Sequence, residues 1–118
     1  LRQKVQQIGV ENCFLSELTI AELIYGIAKS APSKQAANRH SISILQQLFA
    51  GRILLVGTCF EAYGLEKVRL RALGRPVDEF DLMIGCTALA HSLTLVTRNT
   101  RHFAPIATLI LEDWINQP

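Results

Sequence analysis

The residues best suited to chemistry in this chain are two acids and an amide, Glu22, Asp81 and Asn99, each set in a short polar segment. The segments are Thr19-Ile20-Ala21-Glu22-Leu23-Ile24-Tyr25-Gly26, Asp78-Glu79-Phe80-Asp81-Leu82-Met83-Ile84-Gly85, and Thr97-Arg98-Asn99-Thr100-Arg101-His102-Phe103. Each follows, or nearly follows, a strand-like apolar run, and open α/β sheets gather their ligands outside the carboxyl ends of the strands. Two carboxylates and an amide oxygen meeting there suit a hard divalent cation, which takes oxygen ligands, and a phosphate substrate. Arg98, Arg101 and His102 flank Asn99 and are the cations best placed to meet that phosphate.

Each of these residues also has a plainer role open to it. Thr19-x-x-Glu22 reads as a capping box, in which the glutamate reaches back to the backbone of the capping threonine. Helical geometry nevertheless puts Glu22 about 150° from the centre of the Ile20/Leu23/Ile24/Ile27 face, so it points away from the apolar side, and the two roles are compatible. Asp81 lies three residues after Asp78, where a helix dipole favours negative charge by about 0.3 to 1 kcal/mol. One acid suffices for that purpose, and a second on an otherwise apolar helix calls for a metal or a basic partner. Asn99 alone reads as a turn residue. His40, His91 and His102 lack a spacing suited to zinc and read as surface or helix-end residues. Lys67, Arg69, Arg71 and Arg75 form the densest basic run, which reads as a solvated helix face ahead of a phosphate track.

The elements that must position these side chains alternate between helix and strand. Residues 1 to 8 read as the last turns of a helix ended by Gly9, and Asn12 to Leu15 as a short strand. Thr19 opens a helix that Pro32 ends; Ser33 caps a second, running to Gly51; and Ile53 to Val56 is a buried-strand candidate. Thr58-x-x-Glu61 repeats the capping box and starts a helix ending at Gly74. Asp78 caps a helix to about His91 that is apolar or small nearly all round, as a buried helix is. Leu93 to Val96 and Leu109 to Leu111 are the last strands. This alternation predicts a single α/β domain over residues 1–118, a parallel sheet with helices on both faces.

Composition agrees with an ordered globular protein, since 49% of the 118 residues are hydrophobic and 19% charged. Net charge of +2 permits nucleic-acid binding without requiring it. Cys13, Cys59 and Cys86 are odd in number, widely spaced and set among apolar neighbours, which predicts buried free thiols. No apolar run approaches the roughly 18 residues of a membrane helix and no signal-peptide series is present, so a cytoplasmic location is expected.

Taken together, Thr19-x-x-Glu22-Leu23-x-x-Gly26, Gly74-Arg75-Pro76-x-x-x-x-Asp81-x-x-Ile84-x-x-x-Ala88, and Leu95-Val96-Thr97-x-Asn99-x-x-x-Phe103 with Glu112-Asp113-Trp114 resemble the PIN-domain family, specifically the VapC-like toxins of bacterial type II toxin-antitoxin systems. The resemblance implies a three-layer parallel-sheet fold and a Mg²⁺- or Mn²⁺-dependent endoribonuclease that cuts RNA. It also implies an antitoxin partner and a homodimer. Glu22 and Asp81 match family metal-site acids, and Asn99 matches a position that is Asp or Asn in these toxins; Arg98, Arg101 and Thr97 are the substrate-binding candidates. Family members begin with a strand ending in Asp that supplies a first metal ligand. The sequence has no counterpart before Glu22, so the resemblance implies a chain incomplete at its N-terminus, with an upstream apolar strand contributing that acid. The alternative it leaves is a catalytically inactive PIN-like module acting through self-association or antitoxin binding. A flavodoxin-like phosphate-binding domain would share the α/β pattern, but no glycine-rich phosphate loop is present.

Overall fold

The computed structural model describes residues 1–116. In chain order the elements are α1 (Arg2–Ile8), a 3-10 turn (Val10–Asn12), β1 (Leu15–Ser16), α2 (Glu17–Ala28), α3 (Pro32–Leu48), β2 (Ile53–Leu54), a second 3-10 turn (Val56–Cys59), α4 (Phe60–Ala72), α5 (Glu79–Ala90), β3 (Leu95–Val96), α6 (Thr100–Phe103) and β4 (Leu111–Glu112). Most boundaries fall where the punctuating residues put them. Gly9, at φ 92°, stops α1, Pro32 occupies the first turn of α3 where its missing N–H costs nothing, and Gly74, at φ 67°, follows α4 in the left-handed region. The Asp78 carboxylate caps α5 by accepting from the Phe80 and Asp81 N–H groups.

Both expected capping boxes are absent. Helix α2 starts at Glu17, because Ser16 is extended and its hydroxyl already accepts the Leu18 N–H at 3.1 Å. Strand β1 therefore runs into α2 without a loop, and Glu17, expected in that loop, instead accepts the Val56 N–H at 2.7 Å. The Thr58 hydroxyl is used inside the 3-10 turn, donating to the Leu55 carbonyl at 2.6 Å, so α4 begins without it.

The α/β class and the parallel sense of the strands are as expected. Among the described residues the four strands form two separate two-stranded ladders, Leu15 and Ser16 opposite Ile53 and Leu54, and Leu95 and Val96 opposite Leu111 and Glu112. Helix α5 is the hub. Leu82, Ile84, Gly85, Cys86, Thr87 and Ala88 are all buried, and α5 packs against α2, α4, α6 and the second 3-10 turn. Gly85 permits that closeness, since a Cβ there would lie 2.5 Å from Ile106 Cδ1. The core gathers Cys59, Leu70, Leu82, Ile84, Cys86, Phe103 and Ile106. All three cysteines are free thiols, Cys59 and Cys86 buried and Cys13 half-buried, and burial pushes the Cys86 thiol up to about 12, which makes it inert.

Candidate active site

Because α2 begins at Glu17, Glu22 sits in the second helical turn, out of reach of any cap. The capping explanation for this acid therefore fails, while the packing of α2 on α5 sets it within electrostatic range of the α5 N-terminus. Partial burial raises the Glu22 carboxyl above its ordinary value, and the charges of Asp81 and Asp78 raise it further. Asp81 is raised as well, by burial first and then by Asp78, with His102 opposing the shift. Both acids are thus raised by partial burial and by like charge, Glu22 by Asp81 and Asp78 and Asp81 by Asp78. Asp81 is the more enclosed, with 22% of its side chain exposed, and its Oδ2 lies 3.5 Å from Nδ1 of His102.

Two residues stand toward the acids in a way that sequence reasoning did not give them, Asp78 being expected only as a cap and His102 as a phosphate-facing or helix-end residue. Asp78 is a cap, as expected, yet its charge reaches both acids, a possibility carried by its spacing of three residues from Asp81. His102 is the direct partner of Asp81, a pairing across distant segments that no local pattern encodes. Asn99 precedes α6; its N–H donates to the Thr97 hydroxyl at 3.1 Å, and its carbonyl accepts the His102 N–H at 2.9 Å. Its exposed side chain thus stands one helical turn from the histidine that touches Asp81. The Thr97 N–H donates to the Glu112 carbonyl at 3.0 Å, which fixes this turn to the end of the second ladder. Arg98 and Arg101 are exposed and, among the described residues, form no ion pair. Asp113 is buried and held below the usual carboxylate range, chiefly by the Asn116 and Ile115 N–H groups and also by the charge of Arg98.

The basic run on α4 is largely consumed by neighbouring acids. Lys67 pairs with Glu79 at 2.5 Å, and the Arg69 guanidinium grips Glu66 with both Nε and Nη2 at 2.9 Å while Nη2 also donates to the Pro105 carbonyl. Lys67 and Arg69 are half-buried in these pairs, and only Arg71 and Arg75 of the run are exposed as a solvated face would have them. Around Asp81, by contrast, Glu22 and Asp78 lie within electrostatic reach and the His102 imidazole beside it, so the oxygen donors available are carboxylates with no ammonium or guanidinium partner among the described residues' ion pairs. That chemistry fits a Mg²⁺-type cation, which one or two carboxylates hold while it keeps several waters. Among the described residues no group of three or more His, Cys, Asp or Glu converges as a metal cage.

The PIN domain family matches residues 1–109. Ribonuclease VapC2 of Rickettsia felis is 34% identical over 103 residues, covering 85% of this chain and 72% of that protein. The tRNA(fMet)-specific endonuclease VapC of Shigella flexneri is also 34% identical over 103 residues, covering 85% of this chain and 74% of its own. In fold, the DNA-bound VapBC of Salmonella typhimurium superposes with a TM-score of 0.86 at 27% identity, over 96% of this chain and 83% of that one. VapBC2 of Rickettsia felis, bound to a promoter DNA fragment, gives a TM-score of 0.80 at 30% identity, over 96% and 84%. On a match that spans nearly its whole length, and on relatives alike in sequence and in fold, the chain belongs to the PIN-domain family and is VapC-like.

Proposed function

We propose that the chain is a divalent-metal-dependent endoribonuclease toxin, with Glu22 and Asp81 holding Mg²⁺ or Mn²⁺ at the junction of α2 and α5. The observation that carries this reading is the acid pair itself: two carboxyls from different helices, both raised by burial and like charge, in a family whose relatives include named ribonucleases. The chemistry supplied when such an ion is bound is neutralisation of developing charge on the phosphodiester and activation of a water for its attack. His102 orients the Asp81 carboxylate. Asn99 offers a neutral oxygen or orients a water without adding charge, Thr97 holds the turn that presents it, and the exposed guanidinium groups of Arg98 and Arg101 clamp the substrate phosphate.

A toxin of this kind needs a protein that restrains it, and the solved relatives are toxin–antitoxin complexes. The surface suits such a partner. Leu65 and Val68, 73% and 72% exposed and one turn apart on α4, belong to an apolar exterior that also includes Leu55, Phe60 and Ile110. The proposed partners are accordingly RNA, an antitoxin and a second copy of the chain. Among the described residues no helix is long and apolar enough to cross a membrane, and the proposed location is the cytoplasm. The test is cleavage of a labelled RNA in Mg²⁺, which should stop on chelation with EDTA and in Asp81→Asn. Cleavage that survives both would remove the metal-site reading.

A further inference from the structure

Helix α2 carries more than Glu22 on its outer face. Tyr25, Gly26 and Lys29 lie three, four and seven residues after Glu22, so all four share one side of the helix, opposite the buried Ile20 and Ile27. Tyr25 is 66% exposed, and the Lys29 ammonium sits over its ring at 5.0 Å from the centroid. Between them Gly26 leaves the surface flat, since a Cβ there would meet nothing within 4 Å. An exposed ring covered by a cation on one side keeps its other face free.

After Glu22 the charge of the chain has one sign for a long stretch. From Leu23 to Phe60 the sequence has no Asp or Glu, while Lys29, Lys34, Arg39 and Arg52 give the segment +4, so the rest of the chain carries −2. Lys29, Lys34 and Arg39 are exposed. Helix α3, which forms most of this segment, packs against α2, and its less exposed positions, Gln35, Asn38, Ile42, Leu45 and the C-cap Phe49, recur at alternating spacings of three and four along one seam. Lys34 and Arg39 flank that seam on its two sides.

We infer that Tyr25 and Lys29 form a substrate subsite next to the Glu22/Asp81 centre, in which a base of single-stranded RNA stacks on Tyr25 and the adjoining phosphate pairs with Lys29. The inference rests on the ribonuclease reading and adds the path of the substrate. Lys29 lies about 10 Å along the helix from Glu22, so a strand crossing the acid pair meets the aromatic ring and then the cation in order. Stacking on an aromatic ring beside a basic track is how proteins hold single strands without reading their sequence. A protein partner is the less favoured occupant, because the stripe offers one ring and a cation in place of a broad apolar face.

The test is the affinity of a short fluorescein-labelled single-stranded RNA, measured by anisotropy in EDTA so that cleavage plays no part. Tyr25→Leu should weaken binding about tenfold, and Tyr25→Phe should restore it, since the ring and not the hydroxyl does the stacking. Lys29→Gln should flatten the dependence of log affinity on log salt by about 0.7, the loss of one phosphate contact. Circular dichroism should show all three variants folded, as the side chains are exposed. Parental affinity in Tyr25→Leu with an unchanged salt slope in Lys29→Gln overturns the subsite, as does a change in oligomeric state on size exclusion with RNA binding intact. If the parent neither binds nor cuts RNA, the ribonuclease reading falls with it; if the parent binds, and cuts in a way that Asp81→Asn abolishes, while Tyr25→Leu is silent, the subsite alone falls.

Discussion

Glu22 and Asp81 stand where ionisation of one penalises ionisation of the other, and that cost belongs to the metal-free fold. A carboxyl raised in the folded state binds its proton more tightly there than in the unfolded chain, so these two groups add stability as pH falls through their raised values and subtract it at neutral pH. In EDTA at neutral pH, Asp81→Asn should therefore raise the thermal midpoint, although the same variant should not cut RNA in Mg²⁺; a lowered midpoint would mean that the contact with His102 outweighs the repulsion. Glu66 shows the opposite sign. Its carboxyl is held low, first by Arg69 and also by the Ala107 N–H, so its contribution is present above the ordinary glutamate range and is lost as pH falls through the depressed value. Glu66→Ala should cost about 1 to 3 kcal/mol in urea unfolding at neutral pH, because a guanidinium and a backbone N–H lose their acceptor, and its stability should depend less on pH in the acid range than the parent's. At this scale the acids were legible as charges on otherwise apolar helices. The His102–Asp81 contact was not, since it joins segments that only the packing of α6 on α5 brings together.

Helix ends show which signals act locally. Gly9, Gly74 and Asp78 impose their boundaries through backbone constraint or a cap within three residues, and sequence alone locates them, whereas Pro32 opens α3 instead of ending α2, which stops at Ala28, and Ser33, expected as a cap, lies inside α3 behind the N-cap Ala31. The start of α2 is different, because Ser16 and Thr19 are both competent caps. The choice is made by pairing of Leu15 and Ser16 with Ile53 and Leu54 and by the Glu17 hydrogen bond to Val56, both about forty residues away in sequence. Ser16→Ala should accordingly cost about 1 kcal/mol in chemical unfolding, whereas Thr19→Ala should be near neutral; the reverse order would restore the capping box and with it the structural role of Glu22. The middle two strands were legible as apolar runs, while the first and last share only Leu15 and Leu111 with the runs expected for them, and the division into two ladders depends on long-range partners that no local pattern names.

Across the whole molecule, α5 ties these features together: its buried face forms the core, Asp81 on its first turn meets α2 and α6, and Glu79 on the other side of that turn is spent on Lys67 and Tyr63. Within one helical turn, a spacing of two residues thus separates an acid neutralised within the protein from the acid proposed to hold a cation. Glu22 and Asp81 are proposed to form a divalent-metal site, and calorimetric titration of the metal-free protein with Mn²⁺ reads that binding without recourse to activity. The parent should bind one ion, and both Glu22→Gln and Asp81→Asn, folded by circular dichroism, should bind it at least about tenfold more weakly, as loss of a charged ligand from a two-carboxylate site requires. Variants that bind Mn²⁺ as the parent does, or a parent that binds none, would contradict the account.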